Sequence, residues 1–172
     1  MQMPSLTRCS ALFALLTSTT CAVYAADLSH HDKRYLDKTA EGLMAEVEMG
    51  RMAQKQAQDP GVKAFGKRMV DDHGKDLEQL KQIAAQKNVK LPDSPSHKQK
   101  SEADKLSKLT GKDFDSEYVR YETKDHQEDI KDQAKEMKDT SDADLKTFAT
   151  AAHSTVTEHY KMVEDLHGKT GK

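Results

Sequence analysis

The sequence has no tryptophan, four prolines and two cysteines, and only 5% of it is aromatic. Both cysteines, Cys9 and Cys21, fall in the first 25 residues. If that segment is removed, no disulfide can staple the remainder, so a packed core or a ligand must hold it together. After residue 25 there is no apolar run of about 20 residues, which excludes a membrane-spanning helix there. Neither sign of charge dominates. Lys and Arg number 27 against 29 Asp and Glu, a formal net charge of −2 over 172 residues, and so even a mixture argues against a nucleic-acid surface. A P-loop, a dinucleotide fingerprint, a nucleophile elbow and cysteine-based zinc motifs are all missing, so no catalytic motif marks the chain as an enzyme.

What is present begins with an export signal. Residues 1–25 carry Arg8, an apolar stretch of about a dozen residues, and small residues at Val23 and Ala25 before a plausible cleavage point. The apolar stretch is too short for a membrane span, and "STTC" before Cys21 lacks the aliphatic residue of a lipobox. The expected mature chain, 26–172, has the size of one domain and can bury a real core. It is expected in the periplasm or cell envelope, with no transmembrane segment and an unnamed protein partner.

The mature sequence is rich in Ala, Lys, Glu, Gln, Leu and Met, which favour helices. Punctuation is sparse. It predicts helices over 29–58 and 60–88, a connector at 89–96, and a short helix over 95–110 that stops at Gly111. Two further helices follow, one capped by Asp113 and reaching Thr140, the other capped by Ser141 and reaching about Gly168. No segment alternates with period two, so no sheet is expected. The links at 59–60 and 140–141 are very short, and each implies an antiparallel pair. A hairpin, a long crossover and a second hairpin make an all-α, ferritin-like four-helix bundle with an extra short helix in the crossover.

Within these helices one phrase occurs twice. Asp72-His73-x-x-Asp76-Leu77 matches Asp125-His126-x-x-Asp129-Ile130. At 100° per residue, His73 sits at the centre of the second helix's apolar stripe. His126 shares a line with Val119, Glu122 and Ile130 on the fourth, and His159 lies among Phe148, Ala152 and Val163 on the fifth. Glu46 lies at the edge of the first helix's apolar face. Glu46 and His73 are each about 13 residues from the Asp59-Pro60 turn, which sets them level in an antiparallel pair. The geometry permits one cluster of Glu46, His73, Glu122, His126 and His159 near mid-bundle, with Asp72, Asp76, Asp125 and Asp129 as outer partners that orient the imidazoles.

Buried imidazoles and carboxylates are costly unless hydrogen-bonded, paired or coordinated. Two readings follow: a metal-free polar network, or one transition-metal ion, with zinc, copper, iron or manganese suiting this donor set better than calcium. Met44, Met49, Met52 and Met69 read as gap fillers of the core. The lysine-rich 97–109 reads as a solvated helix face, and a membrane-surface role for it is the least favoured function.

The pieces Glu46-Val47-x-x-Gly50-Arg51-x-Ala53, Met69-Val70-x-Asp72-His73, Phe114-Asp115-x-x-Tyr118, Asp125-His126 and His159 resemble the bacterial exported domain-of-unknown-function 4142 family. The resemblance spans roughly 35–168 and implies a ferritin-like bundle in an outer-membrane or periplasmic protein, with no established reaction. Likeness to di-iron ferritins is weaker. Their Glu-x-x-His is not kept, since Val70 and Val156 stand three residues before His73 and His159, and Glu122 stands four before His126. The leading expectation is a non-enzymatic binding or envelope stress-related bundle. The alternative is a metal-binding protein using the His/Glu/Asp cluster, with redox or hydrolytic activity open to it.

Overall fold

The computed structural model describes residues 28–170, so the expected export signal lies outside the described residues. Five helices follow in order: α1 His30–Gln56, α2 Pro60–Gln86, α3 His97–Leu106, α4 Gly111–Asp139 and α5 Ala143–Thr170. No strand occurs among the described residues. The protein is an all-α bundle of two helical hairpins, α1/α2 and α4/α5, each packed along its length. The crossover helix α3 lies against α1 and α4.

Local chemistry sets the helix ends. Ser29 and Asp32 form a reciprocal capping box at the start of α1, with Asp32 N–H to Ser29 Oγ at 3.0 Å and Ser29 N–H to Asp32 Oδ2 at 3.2 Å. Asp59 caps α2 by accepting from the N–H groups of Gly61 and Val62, and Pro60 takes the first helical position, where no N–H is needed. Two caps differ from the sequence expectation. α4 starts at Gly111, whose φ of +62° lies in the left-handed region, so Asp113 falls inside the first turn. α5 is capped by Asp142 rather than Ser141, because Asp142 Oδ1 accepts from both Asp144 and Leu145 N–H. Helix α3 also ends earlier, at Leu106.

One close approach sets the first hairpin, and two contacts join it to the second. Gly50 and Gly66 let α1 and α2 approach so closely that a Cβ on Gly50 would stand 2.7 Å from the Gly66 carbonyl oxygen. The buried Asp115 of α4 accepts from the backbone N–H of Gln58 and Asp59, tying the first turn to the second hairpin. At the opposite end Lys87 Nζ reaches Asp142 at 2.6 Å and Asp144 at 2.8 Å, joining the end of α2 to the start of α5.

The apolar core comes in two blocks. One surrounds the α1–α2 turn and includes Met49, Phe65, Met69, Phe114, Tyr118 and Val163. The other lies toward the opposite end, around Leu36, Leu43, Leu80, Leu145 and Phe148. On every long helix a buried polar residue marks the junction: Glu46 on α1, His73 on α2, Glu122 and His126 on α4, and His159 on α5. The bundle is thus apolar at both ends and polar across its middle.

Candidate metal centre

The polar layer is built from single positions on separate helices. His73 follows Met69 by one turn on α2, His126 follows Glu122 by one turn on α4, and His159 precedes Val163 by one turn on α5. All three are at most 1% exposed. Their ring centroids lie 5.0 Å apart for His73 and His159, 5.5 Å for His126 and His159, and 5.9 Å for His73 and His126. One nitrogen from each falls within 4.8 Å of the other two. The Phe65 ring closes the group from the apolar side, 6.0 Å from His126 and 6.3 Å from His159.

Outer partners fix which nitrogen faces inward. His126 Nδ1 lies 2.9 Å from the Glu122 carbonyl oxygen, which can only accept, so Nδ1 carries the hydrogen and Nε2 has a bare lone pair. His159 Nε2 lies 3.1 Å from Asp72 Oδ2. Burial opposes the charge on Asp72, but bonds from His159 and Arg68 outweigh it and hold the carboxyl below its ordinary range. An ionised Asp72 accepts, which leaves His159 Nδ1 bare. These two inward nitrogens, and both nitrogens of His73, are buried with no hydrogen-bond partner. His73 Nδ1 has Asp76 at 3.8 Å, within ion-pair range but too far for a hydrogen bond.

Burial also keeps His126 and His159 uncharged. It pushes His126 far below the ordinary histidine value, with His73 and His159 adding to the shift. His159 falls to about 4, through burial first and then His73, despite the opposing pull of Asp72. Neutral imidazoles with inward lone pairs are metal ligands in their binding-ready form.

The remaining site residues of the sequence reading form a second group. Glu46 and Glu122 are at the same level, 2% and 0% exposed, but the histidine trio does not include them. Glu46 lies within hydrogen-bonding reach of Glu122 and Asp125. Burial raises the Glu46 carboxyl well above the usual range, and Glu122 and Asp125 raise it further. Burial pushes Glu122 up to about 8. It also raises Asp125, and Asp129 well above the usual range. Asp125 and Asp129 lie on the stripe of α4 next to that of Glu122 and His126, lining a cleft of about 750 Å³ between α1 and α4. Asp72 and Asp76 are therefore the aspartates beside the imidazoles, and Asp125 and Asp129 are not.

Two tyrosines were missed by sequence reasoning. Tyr118 faces Glu122 and Tyr121 faces Asp125, each one helical turn away. That four-residue spacing was the available signal. The lysine-rich α3 is also less detached than its composition suggested, for Lys98 lines the acidic cleft.

A further group, His31, Asp32 and Glu136, gathers near the start of α1. There Lys135 Nζ is 3.0 Å from His31 Nε2, so the ring turns Nδ1 toward Glu136 at 3.4 Å and Asp32 at 3.6 Å. His31 Nδ1 thus faces two carboxyls at ion-pair distance, and it, Asp32 Oδ1 and Glu136 Oε1 make no hydrogen bond.

No functionally curated protein matches the chain. Solved structures with the same fold include a DUF305 fragment from Deinococcus radiodurans, at TM-score 0.74 and 10% identity, covering 83% of this chain and 98% of that one. A DUF305 protein from Streptomyces coelicolor has TM-score 0.70 and 14% identity over 82% and 94% of the two chains. CopM in its Cu(I)-bound form has TM-score 0.68 and 16% identity over 80% and 96%. A family model described as "Domain of unknown function (DUF4142)" matches residues 17–166. The chain belongs to the DUF4142 family.

Proposed function

We propose that this is an exported, non-enzymatic protein that binds one transition-metal ion through His73, His126 and His159. One observation carries the reading: three buried imidazoles from three helices each bring a nitrogen within 4.8 Å of the others, and His126 Nε2, His159 Nδ1 and both nitrogens of His73 have no hydrogen-bond partner. A merely structural histidine network would use them in hydrogen bonds to one another or to the glutamates. Bond lengths of about 2.0–2.1 Å need the nitrogens roughly 3.3–3.6 Å apart, so small ring rotations complete the site.

Three imidazoles suit zinc or copper. The likeness to CopM, described in Cu(I)-bound and Cu(II)-bound forms, supports copper as the first ion to try. His126 and His159 are held by the Glu122 carbonyl and Asp72, the outer contacts that orient metal-binding imidazoles. His73 lines the cleft and gives the site its opening to solvent.

Calorimetric titration of chelator-treated protein with Cu²⁺ and Zn²⁺ tests the reading. Wild type should bind one equivalent at the histidines. His73→Ala and the double variant His126→Ala/His159→Ala should lose at least about a hundredfold in affinity, roughly 2.7 kcal/mol, with helix content retained by circular dichroism. Equal binding by wild type and His73→Ala overturns the assignment and leaves a metal-free polar core.

A further inference from the structure

We propose that His31, Asp32 and Glu136 form a second metal site, taking a divalent cation of the zinc class and joining the start of α1 to the end of α4. The group stands apart from the histidine layer, roughly 20 Å along α1 from Glu46. One ligand atom from each of its three residues falls within 4.8 Å of the other two. His31 Nδ1 is 3.4 Å from Glu136 Oε2 and 3.6 Å from Asp32 Oδ1. Ligands about 2.0–2.2 Å from a tetrahedral zinc stand about 3.3–3.6 Å from one another. The nitrogen therefore already holds ligand spacing from both carboxyls.

The second observation is that these donors are unused. Asp32 and Glu136 are 3% and 1% exposed, and Asp32 Oδ1, Glu136 Oε1 and His31 Nδ1 are buried without a hydrogen bond. The capping box accounts for half of Asp32: it engages Oδ2, through Ser29 N–H, and leaves Oδ1 facing His31. Burial opposes the charge on Asp32, but bonds from Ser29 and Thr140 outweigh it and hold the carboxyl below its ordinary range. Glu136 is pushed up to about 7, by burial first and then by Asp32. A proton between the two carboxyls can relieve that pair, yet it leaves His31 Nδ1 without a bond. A cation uses all three.

One imidazole and two carboxylates suit zinc, which accepts both donor types and keeps a fourth position for water. His31 and Glu136 line the cleft between α1 and α4, and the His31 side chain is 40% exposed, so ion and water can reach the site. Lys135 is the competitor. Its Nζ is 3.0 Å from His31 Nε2 and 2.7 Å from Asp139 Oδ2. As an ammonium it donates to Nε2, which leaves the ring hydrogen on Nδ1. An ion at Nδ1 moves that hydrogen to Nε2, and Lys135 then retains Asp139. At this end of the bundle Lys87 already joins α2 to α5. The ion adds the matching link between α1 and α4, where neither helix has a cysteine for a disulfide.

Calorimetric titration with Zn²⁺ in the His126→Ala/His159→Ala background tests this site by itself. That variant should keep one equivalent and melt several degrees higher with Zn²⁺. Adding His31→Ala or Glu136→Gln should weaken this binding about tenfold or more and remove the gain in melting temperature. Adding Lys135→Ala should strengthen it. In the otherwise wild-type chain His31→Ala should likewise remove one equivalent of Zn²⁺, a readout independent of how well the double variant folds. No binding by the double variant with its helix content intact overturns the proposal and leaves a proton between Asp32 and Glu136. Equal binding with and without His31→Ala overturns it too, placing the ion on surface carboxylates. Neither outcome bears on the histidine trio, which is tested by the loss that His73→Ala causes.

Discussion

On one side of His126 three imidazoles face one another, the outer nitrogens of two of them held by oxygen atoms; on the other, Glu46 lies against two further carboxyls, those of Glu122 and Asp125. Glu46 and Glu122 are buried as deeply as the three histidines, and Asp125 is partly exposed at the edge of the layer. His126 and His159 become neutral by losing protons, as their lowered values record. The carboxyls become neutral by keeping protons, as the raised values of Glu46 and Glu122 record. The comparison teaches that one low-dielectric layer can pull two chemistries in opposite directions along the pH axis and so separate their partners.

The strongest way to break the comparison is to remove an outer contact on the histidine side alone. Asp72→Asn can no longer act as an ionised acceptor for His159, and should weaken Cu²⁺ or Zn²⁺ binding by about tenfold to a hundredfold. Calorimetric titration of wild type and variant checks it; unchanged affinity would show that Asp72 does not orient His159.

Acidity sharpens the contrast next. Between the ordinary value of 6.5 and about 4, the unfolded chain binds a proton that folded His159 refuses, so stability of the metal-free protein falls as pH drops through that window. Between 4.5 and about 8, folded Glu122 keeps a proton that the unfolded chain has released, so stability falls as pH rises. The two slopes oppose each other between 4.5 and 6.5, where thermal melting should be least sensitive to pH. Glu46→Gln should flatten the alkaline arm, gaining about 1–2 kcal/mol near pH 8, and leave the acid arm intact. Melting curves of chelator-treated wild type and variant decide it; an unchanged alkaline arm would show that the carboxyls do not set it.

The smallest effect concerns the rim. Arg68 pairs with Asp72 on α2 and is nearly half exposed. Arg68→Ala should cost at most about 0.5 kcal/mol in stability and change Cu²⁺ affinity far less than Asp72→Asn does. A loss as large as that of Asp72→Asn would make Arg68, not His159, the residue that positions the carboxylate.

Much of this was legible in the sequence. The 100° rule placed His73, His126 and His159 on inward stripes, and equal distances from the Asp59-Pro60 turn set Glu46 level with His73. The family resemblance pointed to the same bundle. Periodicity gives depth and face to within a stripe, but not side-chain direction across the layer. Glu46 and Glu122 therefore looked like ligands beside the histidines, whereas they turn toward each other and Asp125. Asp125 and Asp129 repeat the phrase of Asp72 and Asp76, yet α4 is rotated so that they line the cleft. The cap shifts have a local cause: Asp142 can bond two N–H groups ahead of it, and Gly111 can adopt the positive φ with which α4 begins.

The division of the core into two apolar blocks has a consequence for alignment. Leu, Val and Phe are interchangeable partners, so an all-apolar seam would tolerate one hairpin sliding along the other by a helical turn of about 5.4 Å. The polar layer does not tolerate it. Such a slide would carry His126 away from His73 and His159, and would leave Glu46 buried against aliphatic side chains. The layer therefore works as a vernier mark, admitting a single register of α1/α2 against α4/α5.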